Sequence, residues 1–249
     1  DVCTSASVGD KRSVLSLSFD PLATGDGLRL LAATSILYYA QNHKQPRSAW
    51  DNGQVVVLRP GVGGSCLGVE AVLIDGLPVS NHDHAVQALE WDQQGALLLA
   101  AGGFTNQGAN VKGIRLGGVD ETPLSAAVLR APVHAAGFDG RITYDQTADE
   151  RATRQTGGTV SVWAAGFRNA LFLVRHSSGS YWILDNGSNA GFGDVSAGCD
   201  KTIGYGGNAN SRDQMHKVFA GGYYGHPNRN RGRAGGGAAR ECTYRKPGA

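Results

Sequence analysis

The chain has one methionine, eight prolines and four cysteines in 249 residues, and it has no long apolar run. The longest apolar stretch, Ala96 to Ala101, is far short of the ~20 residues that cross a bilayer as a helix, so a helical membrane span is excluded. Formal net charge is only +2, too small to imply a nucleic-acid or anionic-membrane partner. Cys3, Cys66, Cys199 and Cys242 are widely spaced and include no C-x-x-C pair, which removes the common zinc and dithiol signatures. No G-x-S-x-G elbow occurs, so a hydrolase of that kind lacks its nucleophile turn. The runs Gly61-Val-Gly-Gly-Ser and Gly204-Tyr-Gly-Gly-Asn do not open a helix after a strand, which a phosphate loop requires.

What is abundant is glycine, at 37 residues. Each glycine costs a helix interior roughly 1 kcal/mol, so this composition favours turn-rich β structure. With 41% hydrophobic and 18% charged residues the chain is globular, and its length suits one all-β domain. The even number of cysteines, in loops or near the ends, suggests disulfides and an oxidising, extracellular setting. Pairing Cys199 with Cys242 and Cys3 with Cys66 is one of three possible connectivities. Asn186-Gly-Ser188 is a glycosylation sequon, consistent with secretion. A start at Asp1 without methionine suggests a processed product or an excised piece.

One pattern recurs along the chain: an apolar strand, a polar turn with glycine, a second strand, a loop, then a third strand. The first copy runs Val14 to Phe19, Leu28 to Ala33 and Gly53 to Arg59, with a further strand Ala71 to Asp75. The second runs Val86 to Trp91, Ala96 to Ala101 and Ala127 to Arg130. The third, inside a unit spanning Trp163 to Asn228, runs Ala170 to Arg175, Ser180 to Asp185 and Met215 to Val218. Gly95 and Gly179 occupy equivalent turn positions. Such units cannot bury their faces alone, and radial stacking as a propeller solves that problem. Three copies do not close a circle, so further segments of the chain, or partner chains, are expected to complete it.

The order Gly166-Phe-Arg168-Asn169, a strand, Asp185-Asn-Gly187, Asp213, then Gly-Gly-Tyr-Tyr-Gly225-His-Pro227 resembles one blade of the soluble glucose/sorbosone dehydrogenase β-propellers. Sugar-oxidising members of that family use pyrroloquinoline quinone (PQQ). The resemblance covers about Val14 to Asn228 and implies a single, incomplete propeller domain, all-β, with four-stranded antiparallel blades. On this reading the chain supplies three to four blades of a six-bladed fold. The Arg/Gly-rich stretch through residues 229–249 reads as a solvated loop or tail and not as an RNA-binding segment.

Three constellations could carry chemistry. In the loop Ser80-Asn81-His82-Asp83-His84 the resemblance puts Asp83 and His84 on the family's Asp-His pair, with His84 the base and Asp83 orienting it. Imidazole titrates near neutral pH and suits removal of a sugar hydroxyl proton as hydride departs. Arg168 and Asn169 match the pair that reaches the quinone, where a fixed guanidinium charge stabilises a developing negative oxygen. The resemblance also implies calcium in the loop containing Asp185, Asn186, Gly187, Asp194 and, further on, Asp213, an oxygen-rich set of the kind calcium prefers. An ordinary Asn-Gly turn is the alternative there.

Two departures stand out. Gly102-Gly103 replaces the family's usual Gly-Asp, removing a carboxylate, and Lys11 stands nearest the position of a glutamine. The same propeller occurs in hedgehog-interacting proteins, where it binds a partner. The expected function is thus PQQ-linked oxidation of an aldose. The alternative is a non-catalytic extracellular propeller that binds a protein or glycan.

Overall fold

The computed structural model describes residues 12–23, 29–37, 49–60, 66–80, 82–105, 121–145, 152–187 and 212–226. Among these there is no α-helix. The first sheet is antiparallel, in the order β1 (Ser13–Phe19), β2 (Leu30–Ser35), β3 (Gly53–Pro60), β4 (Leu67–Leu77). A second contains β5 (Val86–Trp91), β6 (Leu97–Ala101), β7 (Ala127–Ala131) and β10 (Ser161–Ala165), ordered β10-β7-β6-β5. A short hairpin of β8 (Thr143–Tyr144) and β9 (Gln155–Gly157) lies between β7 and β10 in the chain. The third sheet is β11 (Ala170–Arg175), β12 (Tyr181–Asp185) and β13 (Gln214–Val218). These are blades of an incomplete β-propeller, as the strand pattern predicts.

The middle blade explains the run Ala96 to Ala101. In a strand, alternate side chains face opposite ways. Leu97, Leu99 and Ala101 enter a core shared with Leu31, Val55, Val57 and Ile74 of the first blade. Leu98 and Ala100 enter another with Leu173, Tyr181 and Ile183 of the third. A blade covered on both faces must be apolar on both faces, so its strand reads as a continuous hydrophobic run. The two turns paired by sequence match in structure: Gly95 and Gly179 adopt φ of +80° and +82°. Each donates its N–H to the residue three earlier, Asp92 and His176 respectively. That left-handed conformation favours glycine.

The sequence placed Trp163 at the start of the third unit. Instead it lies on β10, the edge strand of the second blade, where Ser161 pairs with Arg130 and Ala165 with Ala127. The insertion carrying β8 and β9 separates this strand from its own blade and so disguised its membership. Trp91 and Tyr181 are buried in the core, while Trp163 and Trp182 are partly buried.

The outer face of the third blade is uncovered among the described residues. Phe172, Leu184 and Met215 are cross-strand neighbours in one row, and Phe172 and Met215 are 62% and 67% exposed. On the first blade Phe19 and Val69 are likewise exposed, at the two ends of the row Phe19, Leu30, Leu58 and Val69.

Candidate functional site

The site forms where the loops leading into β5 and β11 meet the chain leaving β6. Backbone bonds fix the meeting point. The Gly102 N–H donates to Ala85 O (3.0 Å) and the Gly103 N–H to Arg168 O (2.7 Å). The Gly166 and Phe167 N–H groups both donate to Ala126 O. The Gly102-Gly103 pair is therefore sandwiched between the Asp83-His84 loop and the Arg168-Asn169 turn. A Cβ added to Gly102 would lie 2.8 Å from His84 Cβ and 2.9 Å from Asn169 Oδ1. Two doublets 85 residues apart in the chain thus meet over one glycine.

His84 is buried, and its Nδ1 lies 2.7 Å from Gly103 O. A carbonyl oxygen can only accept, so Nδ1 carries the proton and Nε2 keeps a lone pair. Asp83 Oδ1 is 3.8 Å from that Nε2. The His84 backbone N–H donates to Ser80 Oγ at 3.2 Å. Burial, and then the positive charge of Arg168, push His84 down to about 3, against the raising influence of Asp83 and the Gly103 bond. Asp83 is half-exposed and contacts His82 Nδ1. Burial pushes its carboxyl up, but the His82 hydrogen bond and the neighbouring imidazoles outweigh this and lower it.

Arg168 and Asn169 are both buried. Asn169 Oδ1 is buried without a hydrogen-bond partner, an arrangement that is costly unless something supplies a donor. Asp185 holds the turn from below. Fully buried, it accepts the Arg168 N–H on Oδ2 (3.0 Å) and the Asn169 N–H on Oδ1 (2.7 Å).

Asp185 was expected to ligate calcium, but both of its oxygens are engaged by backbone amides. Asp213 Oδ1 accepts the Gly187 N–H at 2.9 Å. Asn186 donates its N–H to Asn169 O. Asp194 lies outside the described residues, as do Asn81, Ser188, Pro227, Lys11 and the 228–249 tail. Cys3, Cys199 and Cys242, and with them the expected pairing, are outside as well. Among the described residues no group of three or more His, Cys, Asp or Glu could hold a metal. The described carboxylates do not by themselves form a calcium cage. The residues do fit a polar, planar oxidant: Arg168 offers a fixed positive charge for its oxygens, and Asn169 Oδ1 an unmet acceptor for a ring N–H.

Two residues escaped the sequence reading. Glu121 Oε1 accepts from His226 Nε2 at 2.8 Å, and the His226 ring is buried. A Cβ at Gly103 would come within 2.8 Å of His226 Nε2 and 3.0 Å of Glu121 Oε1. The carboxylate that position 103 lacks is thus brought to the same place from position 121. Burial pushes Glu121 up, but the His226 hydrogen bond and charge, with the Phe104 N–H and Thr105 hydroxyl, hold it down at about 2.

Both groups make the fold acid-sensitive. Folded His84 stays neutral while an unfolded imidazole takes up a proton near pH 6.5, so stability falls as pH drops from about 6.5 toward 3. The Glu121 contribution is present above about 4.5 and is lost as pH falls through about 2. Between pH 6.5 and 4.5, urea unfolding should show a loss of about 2 to 3 kcal/mol that largely disappears in His84→Gln. An unchanged pH slope in that variant would contradict the buried neutral imidazole.

No family model matches the sequence, and no curated protein matches it. Solved structures do match in fold. The chain is similar to the PQQ-bound form of an aldose sugar dehydrogenase from Streptomyces coelicolor at 15% identity and TM-score 0.53, covering 93% of this chain and 52% of that one. It is also similar to an oxidoreductase from Thermus thermophilus described as a glucose dehydrogenase, at 18% identity and TM-score 0.52, covering 91% of this chain and 54% of that one. The chain spans about half the length of these structures. At such identity the likeness shows the fold alone.

Proposed function

We propose that this chain is part of a sugar-oxidising propeller, an aldose-dehydrogenase-type oxidoreductase that takes PQQ as its oxidant. The observation that carries the reading is the convergence of His84 with Arg168 and Asn169 over Gly102. It is supported by the propeller fold, shared with a PQQ-bound sugar dehydrogenase. Arg168 and Asn169 would hold the quinone, which when bound supplies an acceptor for two electrons and hydrogen. His84 Nε2, with its lone pair free to accept, takes the proton of the anomeric hydroxyl as the anomeric C–H hydrogen leaves with its electron pair. The C=O that forms makes the product a lactone. Asp83, within 3.8 Å, stabilises the imidazolium that results. Burial and then Arg168 oppose protonation of His84 in the protein alone, and an anionic ligand paired with that guanidinium removes the second of these. Dye reduction on adding PQQ and aldoses tests this reading. No reduction with any aldose, by protein shown to contain PQQ, would overturn it.

The alternative reading is a non-catalytic extracellular propeller that binds a protein or glycan through the same loops. Aldose-independent capture of a partner that survives His84→Ala would support it.

The uncovered rows on the first and third blades are proposed to seat further blades of the same architecture. The half-length match to the solved propellers supports this. The 1–249 chain alone should then bind a hydrophobic dye through these faces, and Phe172→Thr with Met215→Thr should reduce that binding severalfold. Unchanged dye binding would contradict it. An oxidising, extracellular location is proposed from the cysteine pattern, and a melting temperature indifferent to reductant would count against it.

A further inference from the structure

We propose that Glu121 is a positioning residue for His84: it holds the Gly103 carbonyl that fixes the imidazole tautomer, from the space a side chain at position 103 would occupy. The inference deepens the proposed reading, in that His84 is the base whose lone pair must face the substrate.

The chain of contacts is short. Glu121 Oε2 accepts the Phe104 N–H (2.7 Å), and Oε1 accepts the Thr105 N–H (2.9 Å) and hydroxyl (2.7 Å). Ser125 Oγ donates to Oε2 at 2.7 Å, and His226 Nε2 donates to Oε1 at 2.8 Å. A carboxylate has four lone-pair sites and can serve several donors at once, and bonds to an ionised acceptor are the strong ones. Two of these donors are the amides directly after Gly103. They fix the orientation of the peptide whose carbonyl accepts from His84 Nδ1 at 2.7 Å. His226 is anchored independently, its N–H donating to Gly166 O at 2.8 Å. It ties the carboxylate to the turn that carries Arg168 and Asn169.

Position 103 must then be glycine. Any Cβ there would press on the His226 ring and on the Glu121 carboxylate within 3.0 Å. The groups that could compete for the His84 ring are accounted for. Asp83 is near Nε2, Arg168 and His226 act on it as positive charges, and His82 is engaged with Asp83. Only the Gly103 carbonyl bonds Nδ1 among the described residues, so the tautomer depends on how that peptide is held.

The test is a two-bond nitrogen–proton correlation of the imidazole rings in 15N-labelled protein, with His84 identified by its loss in His84→Gln. The wild type should show a protonated Nδ1 and an unprotonated Nε2. Glu121→Gln, whose one amide oxygen can still accept the Phe104 N–H while the Thr105 N–H loses its acceptor, should retain more of that pattern than Glu121→Ala. Glu121→Ala should move both His84 nitrogens toward averaged values as the tautomers mix. His84 resonances unchanged in folded Glu121→Ala would overturn the proposal. Should that variant not fold, amide exchange in the wild type decides: the Phe104 and Thr105 amides should exchange at least about 100-fold slower than in an open chain, and open-chain rates would overturn it. These readouts use protein without quinone or sugar. Their failure is therefore distinguishable from a failure of the proposed oxidation.

Discussion

Replacing His84 by alanine should lower aldose oxidation by the PQQ-supplied protein by about 10²- to 10⁴-fold, the usual contribution of a positioned general base. The ring is buried with one nitrogen committed to Gly103 O, so no neighbouring group inherits its lone pair. Asp83 is the nearest carboxylate, but it is half-exposed and engaged by His82. Alanine also strips the Gly103 carbonyl of its donor, so a folding defect could imitate a catalytic one. His84→Gln separates the two, because its amide N–H can still reach a carbonyl but it offers no basic nitrogen. Both variants should lose turnover, whereas only alanine should lose substantial stability. Activity within threefold of wild type in His84→Gln would remove His84 from the chemistry.

Asp185→Ala should destabilise the fold by about 3 to 5 kcal/mol, read from urea unfolding, since it orphans two buried amides that donate to its carboxyl oxygens. Asp185→Asn keeps the shape and one acceptor, and should cost about half as much. The contrast is Asp213→Ala, whose single bond to the Gly187 N–H is exposed; it should cost less than about 1 kcal/mol. A chelator should leave the Asp185 effect unchanged. A fall of several degrees in melting temperature on chelation, abolished in Asp185→Asn, would instead show that this carboxylate shares a cation.

Much of the fold could be read directly. The apolar runs and glycine turns located the strands of the first and third blades and three strands of the second, and the pairing of Gly95 with Gly179 was correct. Strand β10 was not legible as part of the second blade, because its partner is chosen by register with β7 across an insertion and not by sequence order. The site was half legible. The family resemblance pointed to His84, Arg168 and Asn169, yet nothing in the sequence says that Gly102 brings them together. The resemblance and the oxygen-rich loop marked Asp185 as a calcium ligand, and neither signal carries the two backbone amides that it accepts from. Glu121 and His226 left one signal: a Gly-Gly where an acid was expected. A missing side chain can mean that the space is already filled, and here it is.

The most direct test of the central claim is equilibrium titration of the protein with PQQ, followed by quenching of intrinsic tryptophan fluorescence. Saturable binding, weakened at least tenfold in Arg168→Ala and in Asn169→Ala, is the result expected if these buried groups form the oxidant's seat. Absence of saturable binding, or equal affinity in all three proteins, would contradict it.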